Sequence, residues 1–225
     1  MERITFTTLD DVQIVGSWMT SQTTYGAALL LHMMPADRTS WALLQAKLAE
    51  KGIASLAIDL RGHGESTHGP GDSRLDYKSF KIEEHQSSLN DVTEAFAWIR
   101  RRGLESERIV ACGASIGANL GLQLLGEEPQ CAGAALLSPG KDYHGLLALE
   151  DVLRILNTQA IWTCASETDD QDSFECAKEL IDTAPSENKI FVPVQNAGHG
   201  TAILEKRPDV ADQLVNWLFN VIQGG

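Results

Sequence analysis

An α/β fold with a mainly parallel sheet, covered by helices on both faces, is what this sequence predicts on three observations. Short apolar, β-branched runs alternate along the chain with segments of helical period, and that alternation implies parallel pairing with helices on either side. A Gly-x-Ser-x-Gly pentapeptide, Gly113-Ala114-Ser115-Ile116-Gly117, lies directly between one such run and one such helix. Further along, an acid cluster and a histidine each follow the end of a predicted strand, the edge at which open α/β sheets assemble their sites.

The elements follow in order. Residues 3–8 and 12–19 read as paired strands turning at Asp10-Asp11, and 27–32 as an apolar strand. Residues 39–51 are helical and stop at Gly52; 53–58 form a strand. A polar, glycine-rich loop, 62–73, leads to a long helix from about 82 to 101, whose Leu89, Val92, Phe96 and Ile99 share one face. The run before Gly113 is a strand, and 118–125 is the helix after the pentapeptide. Strands at 131–138, 160–165 and 189–194 follow, then a final helix carrying Val210, Leu214, Trp217 and Leu218 on one face. The chain reads as one domain over 1–225, with only a short insertion at about 139–159, of which 146–156 is helical.

Composition narrows the function classes. With 18 Lys+Arg against 31 Asp+Glu the net charge is −13, which disfavours nucleic acid or an anionic membrane as partner. No apolar stretch near the start is long enough to span a bilayer or to serve as a secretory signal. Cys112, Cys131, Cys164 and Cys176 lack metal-ligand spacing and read as small buried hydrophobes. A reduced, cytoplasmic setting is the expectation, with neither metal nor cofactor.

A serine in a strand–turn–helix elbow has its hydroxyl exposed above the sheet, and small residues two before and two after it let strand and helix approach. Such a hydroxyl needs a base to take its proton and a third group to orient that base. Downstream, residues 160–165 end in Ser166-Glu167-Thr168-Asp169-Asp170, and 189–194 end in Gln195-Asn196-Ala197-Gly198-His199-Gly200. The flanking glycines are expected to give His199 a flexible seat. The spacing Ser166-x-x-Asp169 favours Asp169 over Asp170, while Asp172 suits a helix cap.

These residues resemble the α/β-hydrolase superfamily over nearly the whole chain, at the serine-esterase and dienelactone-hydrolase-like end with a minimal cap. Leu29-Leu30-Leu31-His32-Met33-Met34-Pro35 is similar to the family's His-Gly-x-Pro strand and loop, and Asp59-Leu60-Arg61-Gly62-His63-Gly64-Glu65-Ser66 to its Asp-x-Arg-Gly-His-Gly-x-Ser loop. The resemblance implies a Ser-Asp-His triad of Ser115, Asp169 and His199, with an oxyanion hole made by the backbone N–H groups of Met34 and Ile116. The family's glycine is Met33 here, which leaves Met33 as the other candidate donor.

The expected activity is hydrolysis of small or medium carboxylic esters. The alternatives are a thioester, lactone or small peptide on the same machinery, or a non-catalytic binding member of the fold. Cysteine is the usual nucleophile of dienelactone hydrolases, so Ser115 counts against that branch. Tyr143 and His144 are candidates for the mouth of an open cleft. His32 is expected to brace the oxyanion loop, His63 to be structural, His68 and His85 to lie at the surface, and Asp59 and Arg61 to pair with each other.

Overall fold

The structure, a computed structural model that describes residues 1–224, is built on one eight-stranded sheet in the order β1-β2-β4-β3-β5-β6-β7-β8. The strands are β1 (Glu2–Thr7), β2 (Gln13–Met19), β3 (Gly26–Leu31), β4 (Ile53–Ile58), β5 (Ile109–Ala114), β6 (Gly133–Leu137), β7 (Ala160–Ser166) and β8 (Lys189–Val194). β2 pairs antiparallel with β1 and β4, and every later pairing is parallel. The α/β class is therefore that of the sequence reading.

The two faces separate by the two-residue period of a strand. Ala27, Leu29 and Leu31 of β3 and Ile109 and Ala111 of β5 point to one face. Ala28 and Leu30, and Val110, Cys112 and Ala114, point to the other. The helices are α1 (Ala42–Glu50), α2 (Ile82–Gln86), α3 (Ser88–Arg101), α4 (Ile116–Glu127), α5 (Ala148–Asp151), α6 (Gln171–Thr183), α7 (Ala202–Lys206) and α8 (Pro208–Ile222). Helices α3, α4 and α6 cover the first face through Val92, Phe96, Leu120, Leu124 and Leu180. Helices α1, α7 and α8 cover the second through Leu44, Leu48, Ile203, Leu214 and Leu218. Because both faces are covered, the central strands are apolar without alternation.

Three helices differ from expectation. The long helix at 82–101 divides at Ser87, whose hydroxyl bonds back to the Glu83 carbonyl (2.8 Å), a local bond that competes with the helical ladder. Residues 38–41 form a 3-10 turn, with the Asp37 side chain accepting the Thr39 N–H, before α1 begins. The insertion carries only the single turn of α5 and a 3-10 turn at Val152–Arg154, less helix than the 146–156 expected. No helix is long and apolar enough to cross a membrane among the described residues.

Candidate active site

Ser115 is the first residue past β5, with φ 54° and ψ −121°, and α4 starts at the next residue. This is left-handed backbone that a non-glycine residue adopts only under constraint. Two glycines make the turn sterically feasible. A Cβ on Gly113 would lie 2.0 Å from the Gly117 carbonyl oxygen, and one on Gly117 would lie 2.3 Å from the Leu31 carbonyl oxygen. The first contact brings strand and helix together. The second seats the start of α4 against the end of β3, where the Met33-Met34 loop departs.

His199 lies in the loop after β8, its side chain 38% exposed, and its Nδ1 donates to Asp170 Oδ2 at 2.8 Å. The carboxylate that orients the histidine is thus Asp170 and not Asp169, a correction to the sequence reading. The Ser166-x-x-Asp169 spacing closes a local turn, in which the Ser166 hydroxyl donates to Asp169 Oδ1. The other oxygen of Asp169 accepts the Gly198 N–H at 2.9 Å, so Asp169 holds the backbone before the histidine. Asp172 lies in the first turn of α6, with Asp170 at the cap position, so the cap assigned to Asp172 is corrected too.

The loop carrying His199 is gripped residue by residue. Asn196 N–H donates to Thr168 Oγ1 (2.7 Å), Ala197 N–H to Ser166 Oγ (3.1 Å), and Gly200 N–H to Ser138 Oγ (2.9 Å). Gly198 and Gly200 have φ of 80° and 58°. They supply left-handed turns to a pinned loop rather than the slack expected of them. Burial acts to raise the Asp170 carboxyl, but the hydrogen bond and charge of His199, with the neighbouring Ser138 and Ser173 hydroxyls, outweigh it and hold the group below the usual carboxylate range.

On the other side of β5, His32 fastens the Met33-Met34 loop. Its Nε2 accepts the Leu60 N–H (3.0 Å) while Nδ1 bonds the Met33 carbonyl (2.9 Å). Burial lowers its pKa to about 4, so it is a neutral brace. Met33 has no left-handed φ, so the loop is made without the conformation for which glycine is special. Among the described residues, the backbone N–H groups of Met33, Met34 and Ile116 give no hydrogen bond to the protein. Gly200 brings the two loops together: a Cβ there would lie 2.5 Å from Met33 Sδ and 3.3 Å from Ala114 Cβ.

The insertion delivers Tyr143 to the same edge of the sheet. Its ring lies over Gly140, where an added Cβ would come within 2.4 Å of it. The phenol lies 3.4 Å from both the Ser138 carbonyl and Ser173 Oγ. Asn119 of α4 fixes this loop through the Gly140 and Leu146 carbonyls (2.7 and 2.8 Å). His144 turns outward and stacks on His85, with ring centroids 4.0 Å apart. That contact leaves His85 buried rather than at the surface. Beside Tyr143 a cleft of about 610 Å³ is lined by Lys141, Asp142, Asp170, Asp172 and Glu175. Ser115 and His199 form no direct hydrogen bond. Sequence reasoning did not single out Ser138 or Ser173; strand order brings Ser138 to this edge of the sheet, whereas Ser173 lies in the first turn of α6, which Asp170 begins.

Other expected pairings change. Asp59 pairs with Arg38, and Arg61 with Asp91 and Asp10. Thus Asp59 and Arg61 do not pair with each other. All four cysteines are free and buried, and burial pushes the Cys131 and Cys164 thiols up to about 12. No group of three His, Cys, Asp or Glu with metal-binding geometry occurs among the described residues.

Comparison with known proteins places this chain in a family. Solved structures that resemble the chain include the Pyrococcus furiosus esterase Pf2001 (16% identity, 98% of this chain and 92% of that one, TM-score 0.78). A Coxiella burnetii α/β serine hydrolase homologue matches at 16% identity, over 97% and 96%, with TM-score 0.70. A thermophilic esterase from Thermogutta terrifontis matches at 17%, over 98% and 99%, with TM-score 0.69. At such identities these likenesses establish the fold. No curated protein matches in sequence. The pattern of the family described as serine aminopeptidase, S33, matches residues 26–174, a span that includes Ser115 and Asp170 but stops short of His199. The chain therefore belongs to the serine aminopeptidase, S33, family of α/β-fold hydrolases.

Proposed function

We propose that the protein is a serine hydrolase that cleaves small or medium carboxylic esters through an acyl-enzyme. Ser115 is the nucleophile, His199 the base, and Asp170 the group that orients it. His199 Nε2 takes the Ser115 proton as Oγ attacks the carbonyl carbon. It then returns that proton to the departing alkoxide as the C–O bond breaks, leaving the acyl group on Ser115. Water, activated by the same histidine, releases the acid. The negative charge on the tetrahedral oxygen is met by the Ile116 N–H and by an N–H of the Met33-Met34 loop. The observation that carries this reading is Ser115 in left-handed backbone between β5 and α4, on the sheet edge that bears the His199–Asp170 pair. The absent Ser115–His199 bond is compatible with it, since catalytic hydrogen bonds often tighten only when substrate binds.

A second reading concerns the bond. The family description and the carboxylates of the cleft beside Tyr143 favour a substrate bearing an ammonium group, such as an amino-terminal aminoacyl amide. Purified protein assayed on p-nitrophenyl esters of rising chain length and on aminoacyl p-nitroanilides separates the two. Esters turned over faster support the first reading, and anilides turned over faster support the second. Because the insertion is short, no jump in rate is expected as an ester passes its solubility limit. In either case Ser115→Ala is expected to lower kcat by several orders of magnitude and to block labelling by a fluorophosphonate. Retention of more than a few per cent of the rate, with labelling intact, would remove Ser115 from the mechanism.

A further inference from the structure

We infer that Asn119 is a positioning residue of the hydrolytic site: it ties the insertion to the helix that starts at the nucleophile, and so sets where Tyr143 stands as a specificity-determining wall of the cleft beside Asp170. The inference rests on the serine-hydrolase reading above. Asn119 lies one turn past Ser115 in α4, its N–H bonding the Ser115 carbonyl (3.3 Å), and it is fully buried. A buried amide must find its hydrogen bonds within the protein. Its oxygen accepts the Gly140 N–H (3.2 Å), and its nitrogen donates to the Gly140 and Leu146 carbonyls (2.7 and 2.8 Å). The amide has two donor and two acceptor places, and three of them go to this one loop. Towards Gly140 it acts as a strand partner would, meeting both backbone groups of one residue.

Gly140 and Leu146 are also the residues that hold Tyr143. Tyr143 and Leu146 exchange both backbone hydrogen bonds (3.2 Å each) across His144 and Gly145, whose φ of 54° and 82° suit a two-residue I′ turn. The Leu146 carbonyl thus receives the Tyr143 N–H and the Asn119 amide together. Gly140 is the floor under the phenol ring, where a Cβ would lie 2.4 Å from Tyr143 Cζ. One buried side chain therefore fixes both the backbone and the ring of Tyr143 from within. Gly140, Tyr143 and Asp170 line the same cleft, so a substrate group entering it meets this ring beside the acid that orients His199. From outside, α2 holds the turn through Gln86 and the Gly145 carbonyl (3.1 Å) and through His85 stacked on His144. Loss of the inner clamp would then loosen the loop without releasing it, and the cleft would lose the definition of that wall.

The test uses the full chain and two series of esters, one lengthened in the acyl part and the other in the alcohol part. Tyr143→Ala opens the cleft, and the ratio of kcat/KM for long over short esters is expected to rise roughly tenfold in one series, the worth of about one methylene in a pocket. Asn119→Ala is expected to move the same ratio in the same direction by about threefold to tenfold, chiefly through KM. The double variant is expected to match Tyr143→Ala alone, because the two residues act as one unit. A merely structural Asn119 would slow every ester alike and add its loss in full to the Tyr143→Ala background. That additive outcome would overturn the inference, as would a wild-type chain-length profile in Tyr143→Ala. If Asn119→Ala does not fold, hydrogen exchange in the wild type decides: slow exchange of the Asn119 side-chain amide supports the clamp, and fast exchange overturns it. A wild type that turns over neither esters nor anilides and takes no fluorophosphonate label overturns the serine-hydrolase reading, and this inference with it. An active wild type whose profile ignores Tyr143 overturns this inference alone.

Discussion

Two loops meet at Gly200 and Met33, and they are built in opposite ways. In the loop after β8, five consecutive residues, Asn196 to Gly200, each bond a side chain from the β6 or β7 end of the sheet. The loop after β3 hangs on His32 and leaves the N–H groups of Met33 and Met34 unspent. The contrast matches the proposed tasks. A base must keep one ring orientation through two proton transfers, so the loop that carries it is bonded throughout. A group that receives developing charge needs donors with no prior engagement.

The sharpest way to break this comparison is to separate the two neighbouring acids. Asp170→Asn removes the charge facing His199 and favours the wrong tautomer, so kcat is expected to fall by roughly 10³ to 10⁴-fold. Asp169→Asn keeps an oxygen for the Gly198 N–H, and a loss below about tenfold is expected. Steady-state kinetics of both variants decides the matter: equal losses, or a larger one at Asp169, would mean that the bonded geometry of His199 is not the working one.

The contact between the loops comes next. Gly200→Ala forces a side chain into φ 58° with its Cβ 2.5 Å from Met33 Sδ. The backbone part alone is expected to cost about 1–2 kcal/mol. Thermal melts should show a loss of several degrees, with kcat reduced about tenfold. If the loops are coupled there, Met33→Ala in the same chain restores part of both losses, because residues in contact are not additive. Simple addition of the two effects would show that the loops act independently.

The frame was legible because periodicity reports on layers. β3, β4 and β5 read as continuous apolar runs since both their faces are covered, and Gly113 and Gly117 mark a close approach that only glycine permits. What was not legible depended on direction in space. Asp169 and Asp170 are adjacent, and the Ser166 turn that made Asp169 look like the partner is the bond that turns it away. Asp59 and Arg61 sit two apart, yet each finds its partner on another element. His85 is polar and exposed by sequence, but His144 covers it. The break at Ser87 hung on one hydroxyl. Ser138 had no local signal at all, because the partner of its hydroxyl, the Gly200 N–H, arrives from a loop 62 residues on.

Acid should strain the two loops unequally. His32 and His63 are buried, and burial brings each to a pKa of about 4, against about 6.5 in an unfolded chain. Between those values the unfolded state binds protons that the native state refuses. Stability therefore falls as pH drops from about 6.5 to about 4, at up to roughly 1.4 kcal/mol per pH unit for each histidine. The His32 brace belongs to this window. The Asp170 carboxyl, already below its usual range, keeps its charge through most of it. Urea unfolding at several pH values should show the slope, and His63→Phe should remove up to half of it. An unchanged slope in that variant would mean that His63 is protonated in the native protein.

The smallest effect expected is at Met33, where the α/β-hydrolase pattern has glycine. Met33 does not use left-handed backbone, and its side chain packs on the core beneath α1 and α8. Met33→Gly therefore gains no conformation the loop requires. It loses that packing and adds freedom to the unfolded chain, a cost of about 0.5–1 kcal/mol from the backbone alone. Ester kcat is expected to stay within about threefold while the melting temperature falls by a few degrees. A gain or loss of tenfold in kcat, with the melt unchanged, would show that the loop seen here is not the one that meets the transition state, and the division between a bonded loop and an unspent one would have to be redrawn around a rearranged Met33-Met34 segment.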